Sequence, residues 1–177
     1  MKLLAAILAL SVASSIAVAQ APYVGMQNRP IKALSDKDVA DLQAGRGMGL
    51  ALPAELNGYP GPSHVLENAD ALALTVEQRE RTKALFEAMK AEAIPMGAQL
   101  IEQEARLDRL FAERHITPTS LTTATAEIGA TQGKLRETHL KYHLAMMTVL
   151  SSGQVEKYQA LRGYTSTDAS MHHNHKH

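Results

Sequence analysis

Cysteine and tryptophan are absent from this 177-residue chain, and phenylalanine occurs only twice. Without cysteine no disulfide can form, so stability has to come from helix packing or association. A metal ion would have to be held by His, Met and carboxylate side chains. So few aromatics, set among much Ala, Leu, Glu and Gln, point to helices rather than a β-sandwich. An excess of one charge is missing too, since 18 basic side chains face 18 acidic ones. No strong field is available to recruit nucleic acid or an anionic membrane.

One apolar run stands out, Leu3 to Ile16, led by Lys2 and closed by Ala17-Val18-Ala19. Its basic start, length and small-x-small ending describe a secretory signal cleaved after Ala19, and the run is short for a stop-transfer helix. Cleavage leaves 158 residues from Gln20, with 17 basic and 18 acidic side chains. The expectation is an exported single-domain protein with no membrane insertion after processing.

Residues 20–34 read as extended. Ser35 with Asp38 resembles a capping box and opens a short helix to about Ala44. Five of the eleven glycines and three of the seven prolines then fall between residues 45 and 62, which marks a looped connector. One helical turn near Pro53 to Leu56 fits within it. Gly45-Arg46-Gly47-Met48-Gly49 has neither dinucleotide nor Walker spacing and follows no strand, so it reads as turn punctuation. A further short helix is expected from Ser63 to about Ala73.

Two copies of one pattern bracket the rest, Leu74-Thr75-Val76-Glu77-Gln78 and Leu150-Ser151-Ser152-Gly153-Gln154. In each, the hydroxyl can cap the first free amides of a helix while the Gln reaches back to the N-cap amide. After the first copy, Leu85, Met89, Ala93, Met96, Leu100, Leu107 and Leu110 keep to one helix face as far as Arg114. Pro95 should kink or split that helix. Its other face carries i,i+4 charge pairs such as Glu77/Arg81, Glu102/Arg106 and Arg109/Glu113.

Thr117-Pro118 starts a second long helix, expected to reach Leu150. Leu121, Ile128, Leu135, Tyr142 and Val149 recur every seven residues, with Ala124, Thr131, Thr138 and Ala145 between them. Such alternation of large and small side chains lets a partner helix come close. Ser151 opens a last helix to about Arg162, stopped by Gly163. A polar tail follows and ends His172-His173-Asn174-His175-Lys176-His177.

The fold class is therefore all-α, built on a long antiparallel helical hairpin with a Pro kink and short flanking helices. Two long helices alone cannot enclose a round core, and each apolar stripe needs a second surface. A homodimer packing hairpin on hairpin is the first expectation. Closure by residues 35–73 is the alternative.

The paired motifs, the long charged helix, the break near His115 to Pro118 and the Leu150-Ser151-x-x-Gln154-x-x-x-Tyr158 ending resemble the Spy/CpxP family of periplasmic stress proteins. The likeness covers residues 72–163, with 20–71 as an added segment and 164–177 as a His-rich tail. Ser151 replaces the usual Thr, and Gly153 stands where an acidic residue is common. The resemblance implies a periplasmic, cradle-shaped dimer without enzyme activity. Family members include ATP-independent chaperones that hold unfolding envelope proteins, regulators of membrane stress sensors, and proteins that bind nickel, cobalt, zinc or copper. No cofactor is required on the chaperone reading. The family's chaperone cradles are typically basic, whereas this chain is near neutral.

The residues themselves offer one candidate metal constellation. His139 and His143 are one turn apart, and Met147 is another turn on, so all three could reach one ion on a continuous helix. The alternative is that His139 edges the core, His143 is solvated and Met147 packs. The resemblance adds that its metal-sensing branch uses an HxxxM pair, the spacing of His143 and Met147. The HxxxH pair that this branch carries on an earlier helix is lacking, and His64 and His115 stand alone. The tail imidazoles His172, His173, His175 and His177 form a second candidate trap. Met89, Met96, Met146 and Met147 suit either plain core or an adaptable client surface. No HExxH, Ser/His/Asp or Cys/His pattern is present, which points to binding rather than catalysis.

Overall fold

A computed structural model describes residues 23–165, so the expected signal segment and the tail histidines His172, His173, His175 and His177 lie outside the described residues. After a single 3-10 turn at Met26–Asn28 come six α-helices, which we number α1 (Asp36–Gln43), α2 (Leu52–Glu55), α3 (Pro62–Glu67), α4 (Val76–Ala112), α5 (Pro118–Met146) and α6 (Ser152–Leu161). The all-α expectation holds, with no strand among the described residues. None of the described helices is long and apolar enough to cross a membrane.

The helices begin where local chemistry places them. Ser35, Thr75, Thr117 and Ser151 each accept a hydrogen bond from the N3 amide, and the N3 side chain in turn accepts one from the N-cap amide. Each box satisfies two of the amides that a helix start leaves free. Helix ends are less well foretold. Only Pro62–Glu67 of the expected 63–73 helix forms, and the chain then turns through Ala73 at φ 51° before Thr75 caps α4. Likewise α5 stops at Met146 rather than Leu150, because residues 147–150 tighten into turns that deliver Ser151 as the next N-cap.

Helices α4 and α5 form the antiparallel hairpin, 37 and 29 residues long. At about 1.5 Å per residue these are rods of roughly 55 and 44 Å. Pro95 does not split α4. Pro95 and Ala91 are both exposed, so the carbonyl that loses its donor faces solvent. Cross-hairpin ion pairs join Lys141 to Glu92 and Arg106 to Glu127. Arg106 thus reaches across to α5 rather than along α4 to Glu102.

The second surface that the apolar stripes require comes from the chain's own N-terminal half. Helix α1 packs on α4, α2 on α5, and α3 on both. Leu42 of α1 joins Ala93, Leu100, Ile128 and Leu135 in one core cluster. Val65, Ala69, Leu72 and Leu74 join Met146, Val149, Leu150, Val155 and Tyr158 in the other. Residues 35–74 and the hairpin therefore share their cores, as the closure alternative had it. Burial stops short of the hairpin tip. Ile128 and Leu100 are buried, while Leu107 and Leu110 are half-buried and Phe111 and Leu121 are exposed. Leu121, expected in the core, lies beyond the reach of α1.

Candidate metal centre

Three short-range devices build a cleft of about 590 Å³ between the 44–64 segment, α4 and α5. Pro53 opens α2, which carries Glu55 at its last position. Gly58, at φ 87°, then turns the chain into Tyr59-Pro60-Gly61-Pro62, and Pro62 opens α3 with His64 on its first turns. On the opposite wall α5 presents His139 and His143. The sequence expectation that these two share a face is met, and both are buried, so the solvated reading of His143 falls.

Met147 does not join them. It is the C-cap of α5, 39% exposed, and lies outside the lining of the cleft. His64, isolated in sequence, is brought to the cleft, whereas His115 sits exposed at the hairpin tip beside Glu113. Of the four methionines weighed, Met89 and Met146 are core.

Glu55 is the hub that sequence reading missed. It is 5% exposed, and its Oε1 accepts hydrogen bonds from the Tyr158 hydroxyl at 2.5 Å and the Tyr164 hydroxyl at 3.3 Å. His64 Nδ1 lies 3.3 Å and Arg162 Nε 3.4 Å from the same oxygen. Burial alone would raise the carboxyl pKa, but the bonds from His64 and Tyr158, with the nearby imidazoles, outweigh it and hold it at about 2. Glu55 is thus an anion throughout the physiological range. Its Oε2 is buried without a hydrogen-bond partner and lies 3.8 Å from His143 Nδ1.

The His143 ring is fixed by the Tyr59 carbonyl, 2.7 Å from Nδ1. A carbonyl can only accept, so Nδ1 carries a proton, which leaves Nε2 as the nitrogen whose lone pair a metal ion would use. This arrangement, a ring nitrogen held by a backbone carbonyl with the other left free, is how metal-ligating histidines are oriented. His139 Nε2 is also buried and unpartnered. Burial first, and His143 second, push the His139 pKa below its ordinary value, so the ring stays neutral and able to act as a ligand.

Glycines open the space beside these groups. A Cβ on Gly61 would stand 2.8 Å from His143 Cε1, 2.9 Å from its Nε2 and 3.6 Å from Glu55 Oε2. A Cβ on Gly47 would stand 3.5 Å from His139 Nδ1. Unpartnered nitrogen and carboxylate donors beside glycine-lined space suit a divalent ion. The set is not closed. Among the described residues no three His, Asp or Glu side chains are placed to hold one ion together.

The class is all-α: a helical hairpin sealed by its own N-terminal segment, with an imidazole and carboxylate cleft along one wall. The heavy-metal resistance family model matches residues 47–157, well over half of the chain. The chain belongs to that family, in agreement with the Spy/CpxP-like resemblance of its sequence. The matched span starts at Gly47 and so takes in Glu55 and His64 as well as the paired motifs. No curated protein and no solved structure matches the chain.

Proposed function

We propose that this is an exported, periplasmic, non-enzymatic protein of heavy-metal resistance that binds a divalent ion at the His139/His143 cleft. Nickel, cobalt, copper and zinc all suit imidazole donors. The observation that carries the proposal is the pair of buried rings one turn apart, His143 with Nδ1 held by the Tyr59 carbonyl and His139 with an unpartnered Nε2. Glu55, anionic and with one free oxygen, is the available carboxylate donor. Titration calorimetry of protein ending at Thr165 should give one zinc or copper site per chain. His143→Ala should weaken it by roughly 10- to 100-fold, the usual effect of losing a ligand or its support. Equal heats for both proteins would remove the cleft from consideration.

The hairpin tip favours a second reading, that of an ATP-independent holdase for unfolding envelope proteins. Phe111 and Leu121 are exposed there beside half-buried Leu107 and Leu110. The same patch suits a second copy of the chain or a membrane stress sensor. Suppression of client aggregation, lost on Phe111→Ser with Leu121→Ser, is the outcome this reading requires. Unchanged suppression by that variant would exclude the tip.

A further inference from the structure

Resting on the metal reading above, we propose that the same cleft is copper-selective: the thioether of Met48 joins the His139 and His143 rings as a ligand, and the site takes Cu(I) as well as divalent ions.

The nitrogen and oxygen donors of the cleft stop short of a complete set. No three His, Asp or Glu side chains among the described residues are placed to hold one ion. Thioether sulfur is a further donor type, and two methionines, Met48 and Met89, line the cleft with His139 and His143. Met89 lies on α4 and is 7% exposed, a core residue of the wall. Met48 lies on the loop between α1 and α2 and is 41% exposed, so its three side-chain rotors are free to swing the sulfur onto an ion.

The backbone carries Met48 to this place. A Cβ on Gly45 would stand 3.6 Å from Lys90 Cα on α4, and one on Gly47 would stand 3.5 Å from His139 Nδ1 on α5. Residues 45–47 thus cross from one helix of the hairpin to the other, and Met48 follows directly after the contact with the His139 ring. A turn is closed there by the Leu50 amide, which donates to the Gly47 carbonyl at 2.7 Å. Its two central residues are Met48 at φ 47° and Gly49 at φ 82°. Two positive φ values in succession are the type I′ pattern, dominated by Gly, Asn and Asp. A turn alone would be served better by any of those three. Methionine in that position adds sulfur to the cleft, and backbone held in such sparsely populated regions gathers at ligand clamps and active sites.

Chemistry then selects the ion. Thioether is a soft donor that favours Cu(I), whereas zinc is bound through thiolate, imidazole and carboxylate. Imidazole suits copper too, and His139 keeps a buried, unpartnered Nε2. The Met48 sulfur should therefore matter for Cu(I) and not for Zn2+.

The test uses Cu(I) under anaerobic conditions and Zn2+ as probes, each in competition with a chromophoric chelator. The proteins are the chain from Gln20 and its Met48→Leu, Met147→Leu and His143→Ala variants. Leu keeps about the volume of Met and removes the sulfur, a swap that folds tolerate well. X-ray absorption at the copper edge reads sulfur in the coordination shell. Met48→Leu should weaken Cu(I) binding at least ~10-fold and remove sulfur from the copper shell. Its Zn2+ affinity should stay within about twofold, since thioether is not a zinc ligand. Met147→Leu, outside the cleft, should change neither, and His143→Ala should weaken both. If Met48 only packs, its loss moves Cu(I) and Zn2+ together, and that result overturns the inference. So does Cu(I) affinity unchanged in Met48→Leu, which would place copper on other donors. In both cases weaker zinc binding by His143→Ala leaves the cleft reading standing. Cu(I) and Zn2+ affinities both unmoved by His143→Ala would overturn the two together.

Discussion

Gln78 and Gln154, one from each repeat of the motif, hold each other by a reciprocal carboxamide pair. Gln78 Nε2 donates to Gln154 Oε1 at 2.8 Å, and Gln154 Nε2 donates back to Gln78 Oε1 at 3.0 Å. Each amide reaches further. Gln78 Nε2 also meets the Val149 carbonyl at 2.9 Å, and Gln154 Nε2 meets that of Leu72 at 3.3 Å. The same oxygens accept from the Thr75 and Ser151 amides that begin α4 and α6. Two capping boxes 76 residues apart are thus one clasp, fastening the two helix starts at the base of the hairpin.

Gln154→Ala should therefore cost more than an ordinary cap. It frees the Ser151 amide, the Leu72 carbonyl and both ends of the pair, and each part-buried group left unsatisfied costs about 1–3 kcal/mol. A loss of roughly 2–4 kcal/mol in urea unfolding is expected. Gln78→Ala should cost a similar amount, and the double variant clearly less than the sum. Strict additivity would mean that the two motifs act only as separate caps.

Gly97 is where α1 meets α4. A Cβ there would stand 2.4 Å from the Leu42 carbonyl oxygen, a backbone atom that cannot step aside cheaply. Gly→Ala inside a helix ordinarily stabilises by up to about 1 kcal/mol. Gly97→Ala should instead destabilise by roughly 1–3 kcal/mol through overpacking, and amides of α1 should exchange faster with solvent. Gly129 has open space around its Cα, so Gly129→Ala is the matched control and should stabilise. Equal behaviour of the two would contradict the α1 placement.

Acid should weaken the fold in two stages. His139 is held below its ordinary 6.5, chiefly by burial, so under pH 6.5 the unfolded chain takes a proton that the folded one refuses. Stability then falls as pH falls. Glu55 is held at about 2 against an ordinary 4.5, so its contribution is complete above pH 4.5 and lost as pH drops toward 2. That second stage is on the order of 3 kcal/mol. Thermal melts across pH 2–8 check this, with Glu55→Gln flattening the lower stage. A melting temperature that rises on acidification would contradict both assignments.

Helix starts were legible in the sequence, helix ends much less so. A cap is a local event, and Ser35, Thr75, Thr117 and Ser151 announce it with a partner three residues on. The end of α5 at Met146 is set by the clasp, which needs residues 147–150 to turn so that Ser151 reaches the base; no residue near Met146 advertises that. Met147, one turn beyond His143 in sequence, lies outside the cleft lining. Heptad spacing located Ile128, Leu135 and Tyr142 in the core but not the exposure of Leu121, which depends on how far α1 extends along the hairpin.

Two of the cleft's histidines were found because α5 carries them at helical spacing. Glu55 and His64 were not, for each comes from a loop-rich stretch where spacing says nothing about direction. One signal was present. Gly58-Tyr59-Pro60-Gly61-Pro62 is stiff and glycine-punctuated, and such a segment permits close backbone approach, here of Gly61 to the His143 ring.

Nitrogen-15 NMR of the histidine side chains during zinc titration tests the central claim most directly. The account predicts that His143 starts with its proton on Nδ1, and that its Nε2 resonance, with that of His139, moves to the metal-bound range at one equivalent. Shifts confined to tail histidines, with the His139 and His143 resonances unmoved at saturation, would contradict it.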